Sequence, residues 1–164
     1  MTVTQIPDGT RVFLDSNVLV HAIARRSVQC CALLDRCSRE EVCGLICTEV
    51  IHEITHKLML VEAANNGLIA EERASLLSGK PDTVRSLRWY WEEVTGLLDS
   101  AVLALQYEPP DLEMAQRIRE RYGLMTRDSL MVSAMMRYRI TSLATNDRVF
   151  ERVGGIQVYR PMDL

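Results

Sequence analysis

With 164 residues, 48% hydrophobic and 25% charged, the chain has ordinary globular composition and enough length to bury a substantial core in one domain. A net charge of −3 argues against a uniformly basic nucleic-acid binder, and no apolar run approaches the length of a membrane span. Five cysteines (Cys30, Cys31, Cys37, Cys43, Cys47) crowd one stretch in odd number and without a C-x-x-C pair; this speaks against a disulfide scaffold or cysteine zinc site and reads as small buried hydrophobes in a reducing cytoplasm.

The opening MTVTQIPDGTRVF lacks a basic stretch followed by an apolar one, so no secretory signal is expected and the localisation reads as cytoplasmic. RVFLD at 11–15 is a short buried strand, an apolar run ending on a polar turn. NVLVHAIARR and VQCCALLDRC follow as helices, and Glu41–Cys47 as a second strand weakened by Gly44. A long helix runs from about Thr48 to a stop at Asn65-Asn66-Gly67. Residues 69–105 are helical in composition, with weak points at Gly79-Lys80-Pro81 and Gly96. Pro109-Pro110 opens another helix, with Asp111 and Glu113 at its positive end and Gly123 at its stop. Thr126 caps a helix to Arg139, and Ile140–Thr145 and Ile156–Arg160 close the chain as strands. Strands alternating with helices predict a three-layer α/β/α sandwich around a mostly parallel sheet. No repeat or linker marks a second domain, so residues 1–164 read as a single domain with a helical middle at about 65–108.

In such sheets, sites gather beyond the carboxyl ends of strands. Asp15 ends the first strand and Asp147 follows the penultimate one by two residues. Glu53 lies in the helix entered from the second strand. Asp128 occupies the first turn of its helix, where the dipole favours an ionised carboxylate. Carboxylates from separate elements can hold one or two Mg²⁺ or Mn²⁺ ions, the requirement of phosphodiester hydrolysis. Removing these four charges from the net −3 leaves the rest of the chain at +1. The distribution is uneven: six acids and no Lys or Arg from Glu92 to Glu113, then six arginines against two acids from Arg117 to Arg139. A partly basic substrate path is therefore compatible with the overall sign, although the stripe Arg117, Arg119, Arg121 reads first as a solvated face.

The four contexts together resemble the PIN domain. LDSNVLV (14–20) is similar to the family's opening strand and first acid, CTEVIHEI (47–54) to its second motif, and GLMTRDSLMVSAM (123–135) to its third, with Ser129 where a small apolar residue is more usual. SLATNDRVFERVGGIQVYRP (142–161) carries the most specific match. The resemblance implies a Mg²⁺- or Mn²⁺-dependent endoribonuclease with Asp15, Glu53, Asp128 and Asp147 as metal-binding catalytic acids. Asp15, Asp128 and Asp147 would ligate the ion, and Glu53 a second ion or the water. Ser16, Asn17, Thr145 and Asn146 would support them, and products would carry a 5′-phosphate and a 3′-hydroxyl. Similar domains are mostly ribonucleases, often toxins of toxin–antitoxin pairs, which implies RNA as substrate, an antitoxin partner and a homodimer.

Other readings compete. His52-Glu53-Ile54-Thr55-His56 fits the H-E-x-x-H helix of zinc proteases, but the extended form fails because position 59 is Met and 62 is Glu. An RNA-processing enzyme, a 5′-nuclease acting on structured DNA and a non-catalytic RNA-binding module are the further alternatives. Trp89-Tyr90-Trp91 cannot all face one side of a helix, so at least one ring is expected at the surface.

Overall fold

The computed structural model describes residues 1–164. Strands β1 (Arg11–Leu14), β2 (Cys43–Cys47), β3 (Leu103–Leu105), β4 (Ser142–Ala144) and β5 (Gln157–Tyr159) form one sheet in the order β3-β2-β1-β4-β5. Every pairing is parallel, with Val12 of the central strand opposite Gly44 on one side and Ser142 on the other. A parallel strand covered on both faces needs a continuous apolar run, and Val12, Phe13 and Leu14 supply it, all buried.

The connections carry helices α1 (Ser16–Ile23), α2 (Val28–Ser38), α3 (Thr48–Asn65), α4 (Ala74–Ser78), α5 (Pro81–Ser86), α6 (Trp89–Leu98), α7 (Pro109–Tyr122) and α8 (Thr126–Arg137). Helices α1, α2, α3 and α6 pack among themselves, while α7 packs on α8. The chain moves outward from β1 through β2 to β3, then returns across the sheet to β4. Right-handed crossovers put the two helix groups on opposite faces, giving a three-layer α/β/α sandwich. The reversal falls between β1 and β4, and the crevice beyond their carboxyl ends is where such sheets bind ligands. No helix is long and apolar enough to cross a membrane.

Local sequence explains most boundaries. Val50, Ile54, Leu58 and Val61 form the buried stripe of α3. Pro109 and Pro110 open α7, and Gly123 closes it in the left-handed conformation at φ 64°. Gly44 belongs in β2 because a Cβ there would lie 2.9 Å from Cys37 Sγ and 3.1 Å from Leu14 Cδ1. The residue that weakens the strand on paper is the one that lets α2 press against it. All five cysteines are free, and burial pushes the Cys30 and Cys37 thiols up to about 11, so they are inert packing groups.

Three expectations are corrected. The middle section is not helical to 108: after α6 the chain forms β3, whose Leu103 pairs with Leu45. Gly96 does not break α6, being a surface position where its cost is only about 1 kcal/mol. Thr126 is not a cap but the first residue of α8; Met125 holds the N-cap position and makes no side-chain bond. Trp91 is 54% exposed, with Trp89 and Tyr90 half-buried beside it.

The α4–α5 segment has a small core of its own, with Ile69, Leu77 and Leu87 packed on Leu60 and Ala63 of α3. Helix α6 lacks a side-chain cap from its own N-terminus. Glu62 of α3, 6% exposed, accepts the Arg88 and Tyr90 N–H groups at 2.8 and 2.9 Å instead.

Candidate active site

The residue after β1 is Asp15, the N-cap of α1, whose N–H continues the sheet ladder by donating to the Ala144 carbonyl at 3.0 Å. Its carboxylate is 1% exposed, and burial of a charge is tolerable only where donors replace water. They do. Oδ1 accepts the Ser16 N–H at 2.7 Å, while Oδ2 accepts the Asn17 amide at 2.6 Å and the Thr145 hydroxyl at 2.7 Å. The same Thr145 oxygen accepts the Asp147 N–H at 3.0 Å, and Asn17 Oδ1 accepts the Asn146 N–H at 3.0 Å. Asn146 Oδ1 in turn accepts from Arg160 at 3.1 Å. One network thus locks the end of β1 to the end of β4 at the switch point.

Asp147 is exposed and caps the 3₁₀ turn Arg148–Arg152, its Oδ1 accepting the Val149 N–H at 2.9 Å. Asp128 lies in the first turn of α8 and is 9% exposed. Burial raises its carboxyl above the ordinary range, the Arg127 guanidinium pulls it back, and the negative charges of Asp15 and Asp147 raise it further. Asp15 and Asp147 therefore lie near enough to Asp128 for their charges to act on it.

Glu53 stands differently. It is ion-paired with Lys57 at 2.9 Å, one turn along α3, and contacts Arg127, which also reaches Asp128 Oδ1 at 3.5 Å. Lys57 further donates to Ser16 Oγ at 3.3 Å, and burial lowers its ammonium pKa, with Asp15 opposing. Sequence reasoning missed both cations. The i,i+4 spacing of Glu53 and Lys57 is a readable signal, whereas nothing local distinguishes Arg127 among the six arginines between Arg117 and Arg139. Ser129, the departure from the third motif, is buried, donates to the Thr126 carbonyl and accepts from Arg119, each at 2.9 Å, tying α8 to α7.

The donor set suits a hard divalent ion: carboxylate oxygens from separate elements, with Asp128 largely desolvated and subject to the charges of Asp15 and Asp147. As the side chains stand, no three His, Cys, Asp or Glu groups surround a common ion position. Arg127 and Lys57 hold Glu53, and internal donors engage both oxygens of Asp15. His52 and His56 of the H-E-x-x-H segment are exposed, and His56 lines a cavity beside α1 together with His21.

Among known proteins, Ribonuclease VapC2 of Methanocaldococcus jannaschii is 24% identical over 151 residues, covering 92% of this chain and 94% of that protein. Ribonuclease VapC6 of the same organism is 31% identical over 77 residues, covering 44% of this chain and 50% of its own. The crystal structure of VapBC2 from Rickettsia felis bound to a DNA fragment from their promoter aligns with a TM-score of 0.62 at 15% identity, covering 92% of this chain and 98% of that one. A toxin–antitoxin complex from Klebsiella pneumoniae aligns with a TM-score of 0.59 at 16% identity, covering 93% and 99%. These structures share the fold. The family model described as PIN domain matches residues 12–156, from the strand that ends at Asp15 to the threshold of β5, and so takes in all four acidic contexts. The chain belongs to the PIN-domain family.

Proposed function

We propose that the protein is a divalent-metal-dependent endoribonuclease, acting in the cytoplasm as the toxin of a toxin–antitoxin pair. The observation that carries the reading is the placing of Asp15 and Asp147 beyond the strands at the sheet's switch point, with Asp128 near enough that their charges add to the burial that raises its carboxyl. Relatives named as ribonucleases and fold neighbours solved as toxin–antitoxin complexes support the activity and the partner.

Asp15, Asp128 and Asp147 would hold Mg²⁺ or Mn²⁺, with Glu53 binding a second ion or orienting the attacking water. When bound, the ion supplies charge neutralisation at the non-bridging phosphate oxygens and an acidified water. Asn17 and Thr145 fix Asp15 so that its carboxylate does not turn with each substrate. Ser16 and Asn146 complete that support through their backbone N–H groups. Lys57 and Arg127, paired with Glu53 while no phosphate is present, are cations that can transfer to the RNA backbone. An antitoxin would silence the site by covering it, and the exposed Trp91 on α6 is the natural contact for a homodimer or for that partner.

Purified protein should cleave single-stranded RNA with Mg²⁺ or Mn²⁺ and stop on chelation. Asp15→Asn and Asp128→Asn should each abolish cleavage and relieve the growth defect caused by the wild type, because an amide lacks the charge that holds the ion. Full activity in either variant overturns the assignment.

A further inference from the structure

Immediately beside Asp15 the surface opens into a cavity of about 480 Å³ between α1, α3 and the start of α4. Asn17, whose amide holds Asp15 at 2.6 Å, lines its near end, as does Lys57. The cavity is therefore continuous with the acidic site, yet its chemistry is different. Its charged lining is Arg26, Lys57, Arg73 and Glu72, with Arg26 paired to Glu72, Lys57 to Glu53 and Arg73 to Glu71.

Three features give the cavity a ligand's requirements. Val20, Leu60 and Ala74 supply an apolar wall. Two imidazoles, His21 and His56, face the same space, and His21 Nδ1 is a buried atom with no hydrogen-bond partner in the protein. Burial, with Arg26 and Lys57 nearby, lowers the His21 pKa, leaving a neutral ring that can donate from one nitrogen and accept at the other. Arg26 binds Glu72, with one of the two contacts at 3.1 Å, and so braces the cavity wall by joining the end of α1 to the approach to α4.

We infer that this cavity is a base-binding subsite for the ribonucleotide next to the scissile phosphate, with the base against the apolar wall and the His21 ring and its phosphate toward Lys57. Single-stranded RNA is recognised by splaying bases onto flat side chains, His among them, and by hydrogen bonds to their edges. The volume suits one nucleotide, and Lys57, which also donates to Ser16 Oγ beside Asp15, is the cation placed to meet its phosphate. The cavity thus confers a base preference at one position beside the cut. This rests on the ribonuclease reading.

Two measurements on the full chain test it. In the first, RNAs carrying one 4-thiouridine at successive positions are photocrosslinked to the Asp15→Asn protein. The expected result is a crosslink from one position into the α1 or α3 peptides that contain His21 and Lys57. In the second, cleavage of a randomised RNA pool is sequenced for wild type, for Ala74→Trp and for His21→Leu. Ala74 is exposed at the first turn of α4, so Trp fills the cavity without entering the core. Both variants should flatten the base preference at that position and raise KM about tenfold, the scale of one lost stacked base, with melting temperatures unchanged. Metal-dependent cleavage with an unaltered preference in both variants, and crosslinks elsewhere, overturns the subsite and leaves the nuclease standing. Crosslinks at His21 or Lys57 in a protein that cuts no RNA overturn the nuclease reading and keep the binding site.

Discussion

Replacing Thr145 by Val probes the network that fixes Asp15 with almost no change of shape. The Thr145 side chain is 0% exposed and gives Asp15 Oδ2 one of its two donors, at 2.7 Å. Valine leaves a carboxylate that is 1% exposed short of that donor, and no water reaches it. A hydrogen bond to a charged group contributes about 1.5–3 kcal/mol, so metal-free protein should lose that much stability. For a chain of this length the loss corresponds to a fall of about 3–12 °C in melting temperature. In an Asp15→Asn background the acceptor is neutral, and the same substitution should cost only about 0.5–1.5 kcal/mol. Denaturant unfolding of the four proteins in chelator closes the cycle, with an expected coupling of about 1 kcal/mol or more. Equal losses in both backgrounds would show that Thr145 supports the fold through packing or through its bond from the Asp147 N–H, and not through Asp15.

Two further outcomes follow from the same geometry. Burial above all raises the Asp128 carboxyl, so folding favours its protonated form relative to the unfolded chain, and the stability it contributes below the unfolded pKa is lost as pH rises through the folded value. Metal-free Asp128→Asn should accordingly melt above wild type at pH 7, with the gap closing as pH falls through the carboxylate range; a gap independent of pH refutes the sign. Gly44→Ala should destabilise by about 1–3 kcal/mol, because its Cβ meets Cys37 Sγ at 2.9 Å, and Cys37→Ala in the same chain should recover part of the loss in thermal unfolding.

What the sequence makes legible here is whatever depends on local chemistry. The apolar run of β1, the Pro-Pro start and Gly stop of α7, and carboxylates placed just past strand ends all carry their signal within a few residues. β3 does not. Leu-Ala-Leu at 103–105 is short and mostly exposed, and it becomes a strand because β2 offers it an edge. The N-cap at Met125 has no side-chain signature, since the dipole and tertiary packing set that helix start. At the site, the acids are readable as residues and the i,i+4 spacing of Glu53 and Lys57 is readable too, but the part played by Arg127 is not. Arg127 arrives from α8 and Lys57 from α3, and only the fold brings them onto one carboxylate.

The clamp made by Glu62 separates two things that a loop insertion would otherwise disturb together. Because one α3 side chain holds the first amides of α6, the position of α6 does not depend on the path taken between residues 66 and 87. The turns of that stretch, outside the small core of Ile69, Leu77 and Leu87, can therefore lengthen or shorten across descendants at little thermodynamic penalty, about 0.6 kcal/mol for each doubling of a flexible loop. The stretch also carries Glu72, Arg73 and Ala74, the outer wall of the cavity beside Asp15. Drift in this segment can retune what the cavity admits while the acids at the sheet edge stay where they are, so recognition and chemistry are free to evolve on separate clocks.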